Sequence, residues 1–290
     1  MSWSVSPRLK RNLIMTGLVA ALVSGLCIGL TSLESHVHTM PRYAEVLALE
    51  WDNLPDWLRL RENRHILKTL TRRVNLKRSD HRLDPQLAER LGTTLLDPGL
   101  GWVKSVNRVM VRPDGRVSMR CQFRRPAAWI QYDRYCYLVA AESVRLPGRY
   151  DFNECINSSL LMISGVDSRP PAVGQVWSGA DLNSGLKLAS LISERPFRNQ
   201  VDRIIVANHD GRKERNRPHI ELATDRRGSR IWWGRPPEEE YGIEITANQK
   251  LTLMETLFRQ WGRIDLNRAY VDVRTHPDSV VLPAQMSSGT

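Results

Sequence analysis

The chain has 290 residues, 41% of them hydrophobic, and its 42 Lys and Arg against 31 Asp and Glu leave a formal net charge of +11. That length supports one large or two modest domains with real cores. The basic excess is scattered over Arg72-Arg73, Lys77-Arg78, Arg124-Arg125, Arg212 to Arg217 and Arg226-Arg227, with no zinc-finger, RNA-recognition or helix-turn-helix pattern, which argues against a nucleic-acid partner.

Leu13 to Leu33 is an uncharged, mostly apolar run bounded by Arg11 and Glu34. At about 1.5 Å per residue it crosses a bilayer core as one helix. Arg8, Lys10 and Arg11 lie just before it, so the positive-inside rule keeps residues 1–12 in the cytoplasm and exports the chain that follows residue 34. A cleaved signal peptide is the rival reading. The run is longer than a cleavable apolar region, and Thr31 to His36 offers no small-x-small site, so an uncleaved anchor is expected. Gly25 and Gly29 form a G-x-x-x-G pair that reads equally as a packing face or as small residues tolerated beside lipid. With the remainder outside, the scattered charge reads as a solvated face, the alternative being contact with anionic headgroups.

Cys27 falls in the apolar run and leaves Cys121, Cys136 and Cys155 outside it, an odd number that is not a disulfide framework. Cys121 and Cys136 sit in alternating strands, where a small buried thiol is the default. A Cys136–Cys155 bridge is geometrically open, and spacing alone does not decide it.

Tyr43 to Leu49 has strand character, broken by Asn53 to Asp56 with Pro55. His65 to Val74 carries Ile66, Leu67, Leu70 and Val74 at helical spacing. A second helix starts at Asp84-Pro85, with Leu87, Leu91 and Leu95 on one face, and stops at Asp97-Pro98-Gly99. Trp102 to Arg112 and Arg116 to Phe123 read as strands joined by the tight turn Pro113-Asp114-Gly115. Strand, helix, helix, strand, strand is the order, and a small sheet with two helices on one face is the economical packing.

Beyond Pro126 the elements are mostly short strands: Ala128 to Gln131, Tyr135 to Ala140, Leu160 to Ile163, Val201 to Ala207, His219 to Thr224 paired with Arg230 to Trp233, and Ala269 to Arg274. Two helices interrupt them, Asp181 to Ser193 and Gln249 to Trp261. Residues 284–290 read as a disordered polar tail. The fold class expected is therefore α+β: a transmembrane helix over 13–33, a β-α-α-β-β module over 41–126, and a mostly antiparallel β domain with helices over 127–283 that ends in an edge strand.

Chemistry-bearing motifs are absent: no nucleophile elbow, P-loop, zinc signature or dinucleotide fingerprint. His209-Asp210 resembles half of a triad, but Asn208-His209-Asp210-Gly211 has the composition of a turn. Glu238-Glu239-Glu240 after Pro236-Pro237 reads as a solvated loop. Trp232-Trp233 in a strand must point one ring inward and one outward. A binding role without catalytic, cofactor or metal residues is expected, rather than an enzyme with a small-molecule substrate.

The last strand alternates Tyr270, Asp272 and Arg274 against Val271 and Val273. If it is the sheet edge, its backbone groups accept a partner strand, and Pro277 just beyond can blunt that edge.

The order of these elements resembles the FtsQ/DivIB family of bacterial cell-division proteins, over roughly residues 8–283. Trp102-Val103-Lys104-Ser105-Val106 with Arg124-Arg125-Pro126-Ala127-Ala128-Trp129 resembles the segment that closes that family's POTRA module. Tyr137-Leu138-Val139 through Val144, Lys250 to Leu257, Gly262 to Leu266 and Tyr270 to Arg274 resemble its later segments. Individual motifs are largely hydrophobic patterning, and their order carries the likeness. Val139 to Ser143 lacks the family's aspartate and glycine, and Thr275-His276-Pro277-Asp278 departs after the last strand.

The resemblance implies a non-enzymatic divisome scaffold in the inner membrane, with a POTRA-like module over 41–126. It implies that FtsB/FtsL-type single-span proteins are received by strand addition at Tyr270, Val271, Asp272, Val273 and Arg274, with Thr275 to Val281, including Val280, as the docking edge. Arg274 is then the candidate to pair with an acidic group on the partner. The alternative is a POTRA-bearing component of protein export or outer-membrane assembly that binds polypeptide strands.

Overall fold

The computed structural model describes residues 7–40, 48–77, 80–155 and 158–282. The expected tail at 284–290, Arg78 and the first residues of the strand expected from Tyr43 lie outside them.

Helix α1 spans Pro7–Thr39 and contains one stretch, Met15–Val37, long and apolar enough to cross a membrane. Leu18, Leu22, Leu26 and Ile28 are all more than half exposed. Such an apolar surface is disfavoured in water and accepted by lipid.

The chain falls into two compact units, one of Met1–Leu95 with Val106–Cys121 and one of Leu96–Ser105 with Gln122–Thr290. In the first, strand β1 (Ala48–Trp51) is followed by a helical turn α2 (Asp56–Arg59), helices α3 (Arg64–Val74) and α4 (Leu87–Leu95), and strands β2 (Val103–Val111) and β3 (Arg116–Phe123). The sheet order is β1-β3-β2, with β1 parallel to β3. Ile66, Leu70 and Val74 of α3 and Leu87, Leu91 and Leu95 of α4 are buried, as helical spacing predicts. Asp84 caps the approach to α4 by accepting from the backbone N–H of Gln86 at 2.9 Å, though the regular helix begins only at Leu87. The β2–β3 turn forms as expected: Gly115 takes φ +83°, and Asp114 accepts from the Arg116 N–H at 3.0 Å. Glu50 on β1 receives Arg112 at 2.9 Å and Arg116 at 2.6 Å, a pair of ionic contacts that ties β1 to the β2–β3 hairpin.

The second unit contains β4 (Pro126–Tyr132), β5 (Tyr135–Ala140), β6 (Tyr150–Asp151), a helical turn α5 (Phe152–Cys155), β7 (Leu161–Ser164), α6 (Ala180–Ser193), β8 (Val201–Ile205), β9 (Ile220–Thr224), β10 (Arg230–Gly234), α7 (Ala247–Trp261) and β11 (Tyr270–Asp272). Its eight-stranded sheet runs β11-β10-β9-β8-β7-β4-β5-β6, antiparallel at four interfaces and parallel at three. Parallel neighbours need a crossover, and α6 and α7 supply those of β7–β8 and β10–β11. Both crossovers step the same way along the sheet, so a common right hand puts their helices on one face.

That face is the core. Leu182, Leu188 and Ile192 of α6 and Leu251 and Met254 of α7 are buried against Ile130, Val139, Ile163, Ile204, Leu222, Ile231 and Val271. Each such side chain contributes roughly 1.5–3 kcal/mol by burial. Gly185 lets α6 lie close to the sheet, since a Cβ there would meet Ile163 Cγ2 at 2.9 Å. Helix α7 begins with a capping box, Thr246 accepting from Gln249, and ends at Gly262 with φ +69°. The strand pairing β6 and the turn α5 have no periodic signal, being two and four residues long, and sequence reading missed both.

Candidate partner-binding edge

β11 ends the strand order, the position expected for a docking edge. It lies parallel to β10, with Arg230, Ile231 and Trp232 opposite Tyr270, Val271 and Asp272. Val271 and Val273 are fully buried in the core, so Tyr270, Asp272 and Arg274 share the other face. There the Tyr270 ring stacks on Trp232 with centroids 4.1 Å apart, and the Arg274 guanidinium lies 5.4 Å over the same indole. Trp233 is fully buried and Trp232 half-buried, the inward–outward split expected of adjacent strand tryptophans.

Asp272 is buried and holds Arg274 in a fork: Oδ1 accepts from Nε at 2.9 Å and Oδ2 from Nη2 at 2.7 Å. The Arg274 backbone N–H also donates to Asp272 Oδ1, at 3.0 Å. The strand stops at Asp272, short of the Arg274 expected, and the Arg274 charge is met by Asp272, with which an acidic group on a partner would have to compete.

The outer side of β11 is also covered. Asp272 and Val281 exchange both backbone hydrogen bonds, at 2.9 and 3.1 Å, and Ile245 N–H donates to the Arg274 carbonyl at 2.7 Å. Thr275 is half-buried, residues 276–279 form an exposed turn, Val280 packs against the core, and Val281 and Leu282 are exposed. Because Asp272 and Val281 form a hydrogen-bonded pair, the backbone groups of Val280 and Leu282 point the other way. The outermost described segment at this end of the sheet is therefore Val280 to Leu282, one chain segment beyond β11.

An ion pair with one fully buried partner lies beside this edge. Lys250 of α7 is fully buried, and its Nζ lies 2.6 Å from Glu244 Oε1 and 4.9 Å from the Trp233 ring centroid. Burial lowers the Lys250 pKa, and the Glu244 carboxylate opposes that shift. Glu244 Oε1 also accepts from the Arg235 N–H at 2.7 Å, so the loop after β10 folds around one carboxylate. Gly234, at φ +99°, is the contact that permits this, since a Cβ there would run into Glu244 Oε1. The sequence signal was present in Gly234 after Trp232-Trp233 and in Glu244 six residues before Lys250, but neither residue announces burial.

Two other constellations have the look of chemistry. Ser184 Oγ lies 3.1 Å from His209 Nε2, and His209 Nδ1 lies 3.4 Å from Asp210 Oδ2, the connectivity of a hydrolase triad. Ser184 already donates to the Ala180 carbonyl at 2.7 Å, and both Ser184 and His209 are buried. With its proton given to the Ala180 carbonyl, that hydroxyl has none to pass to Nε2 as a nucleophile must, and residues 209–211 form the turn expected from their composition. A cavity of about 430 Å³, lined by Gln131, Asp133, Gly165, Asp167, Arg212 and Lys213, lies at the carboxyl ends of β4, β7 and β8. Its Arg212 is consumed in structure, donating to the Ala207 carbonyl at 2.9 Å, to Asp181 at 2.8 Å and to the Val206 carbonyl at 3.0 Å. Among the described residues no group of three or more His, Cys, Asp or Glu is placed to hold a metal ion.

No protein-family model matches the chain, and no curated protein matches it either.

Proposed function

We propose that the protein is a membrane-anchored, non-enzymatic scaffold of bacterial cell division, of the FtsQ/DivIB type, that captures FtsB/FtsL-type single-span proteins by strand addition. The observation that carries this reading is the outward-facing backbone of Val280 and Leu282 at the end of an eight-stranded sheet. The N-terminal apolar span supports an anchor, and Arg8, Lys10 and Arg11 before it support a cytoplasmic N-terminus with both units outside. The order β1, α3, α4, β2, β3 supports a POTRA-like role for the first unit.

The test is a fluorescent fusion of the full chain in growing bacteria, together with capture of FtsB/FtsL-type proteins by the detergent-solubilised chain. A midcell band with capture is expected. Uniform envelope signal without capture would overturn the reading. Binding of generic strand peptides in its place would favour the export-component alternative, for which the nine-residue outer strand β2 is the supporting feature.

A further inference from the structure

The face of the large sheet opposite α6 and α7 carries a small second cluster. Leu138, Trp129, Met162 and Arg203 form one row across β5, β4, β7 and β8 by strand register. Cys136 lies on this face, two residues from Leu138, and opposite Tyr150 of the edge strand β6. From Tyr150 the chain runs through Asp151 into the turn α5, whose last residue is Cys155. Cys136 is fully buried and Cys155 is 2% exposed, both are free thiols, and each shifts the other's ionisation, which makes them near neighbours. The Cys155 thiol also donates to the Asp151 carbonyl at 3.3 Å.

We infer that Cys136 and Cys155 are joined by a disulfide in the mature protein, stapling the two-residue edge strand β6 and the turn α5 onto the sheet. The inference rests on the exported orientation proposed above, because such a bond persists in an oxidising compartment and not in a reducing one. The reaction is thiol–disulfide exchange with a disulfide-bearing oxidant, either an exported dithiol oxidase or a small-molecule disulfide. The Cys136 Sγ–Cys155 Sγ bond forms, both thiol protons leave, and the oxidant's own disulfide takes up the two electrons and becomes two thiols.

Placement explains the use. A two-residue strand at the end of a sheet has too few ladder bonds to hold itself, and β6 pairs with β5 only through Tyr135–Asp151 and Cys136–Tyr150. A covalent bond at this point closes the 136–155 loop and fixes the sheet edge remote from β11. Burial raises the Cys136 pKa and pushes the Cys155 thiol up to about 12, so the thiolate needed for exchange is scarce once the site is closed. The bond therefore forms while the exported chain is folding and resists reductant afterwards. Cys121 is buried on β3 in the first unit and serves as an internal thiol control.

The experiment uses the full chain in native membranes. Denaturation in excess N-ethylmaleimide without reductant is followed by trypsin and mass spectrometry. The peptides beginning at Tyr135 and Tyr150, released after Arg134 and Arg149, are expected as one linked species two hydrogens lighter than their sum, with Cys121 alkylated. Reduction should lower the Tm by about 5–10 °C, and Cys136→Ala/Cys155→Ala should show the lowered Tm with no response to reductant. Alkylation of both cysteines in membranes overturns the inference. A second arm locates that failure: the reduced chain, unfolded in urea and refolded in detergent with a glutathione redox buffer, closes the bond if orientation alone was misread. Free thiols there as well would show that the pairing itself is wrong.

Discussion

Asp272, the last residue of β11, and Arg274 just beyond it grip each other through charge-assisted hydrogen bonds of 2.9 and 2.7 Å, beside a Trp232–Tyr270 stack. A fork of this kind makes the arginine part of the strand's own geometry. Replacing Arg274 by Glu would set two carboxylates together and leave Asp272 with only the backbone N–H of residue 274. Arg274→Glu is therefore expected to destabilise the fold by about 2–3 kcal/mol in urea unfolding. Loss of partner capture by this variant would not by itself signal a direct contact. Arg274→Glu with unchanged stability would show that the fork is dispensable.

A cleaner probe of the edge is Leu282→Pro. Leu282 is exposed, its N–H faces away from β11, and the Asp272–Val281 bridge does not use it. Removing one outward donor should weaken partner capture about tenfold, equivalent to one ladder hydrogen bond, with the Tm unchanged. Val281→Lys tests side-chain contact at the same place. Full capture by both variants would place the partner elsewhere.

The Lys250–Glu244 pair predicts an asymmetric double-mutant cycle. Lys250→Ala strands a buried carboxylate and should cost about 3–5 kcal/mol, whereas Lys250→Met combined with Glu244→Gln should cost distinctly less. Gly234→Ala should also destabilise the protein, and less so once Glu244 is shortened to Ala, because the clash is with that carboxylate. Additive losses across these pairs would show that the groups do not share one site.

Asp265 gives a pH signature. It is fully buried, and burial alone would raise its pKa, but hydrogen bonds from Arg263, the Asn267 backbone and Thr224 outweigh that and hold it at about 2 against an ordinary 3.8. The unfolded state binds the proton more readily in this interval. The stabilisation is therefore complete above about pH 4 and is lost as pH falls towards 2, about 2 kcal/mol in all. Asp265→Asn should be less stable at pH 7 and show a shallower fall in urea stability between pH 4 and 2. An unchanged acid slope would contradict the assignment.

Much of the architecture was legible in the chain. Leu87, Leu91 and Leu95 declared a helix face, Pro113-Asp114-Gly115 declared a hairpin, and the alternation of Tyr270 to Arg274 declared which side of a strand meets the core. These are local signals, because helix and strand periods are written in neighbouring residues. The bounds of several strands differed, since pairing partners rather than composition decide where a ladder ends.

What the sequence by itself determined is the apolar span near the N-terminus, the α+β content and the last strand's inward and outward faces. Only the tertiary structure decided that Val281 returns to cover Asp272, that Arg274 is spent on Asp272, that Lys250 finds Glu244, and that Ser184 meets His209 without the freedom of a nucleophile. The reason is physical. Periodicity is a property of a few consecutive residues, whereas an edge, a buried charge or a thiol pair exists only when distant segments remove water from the same place.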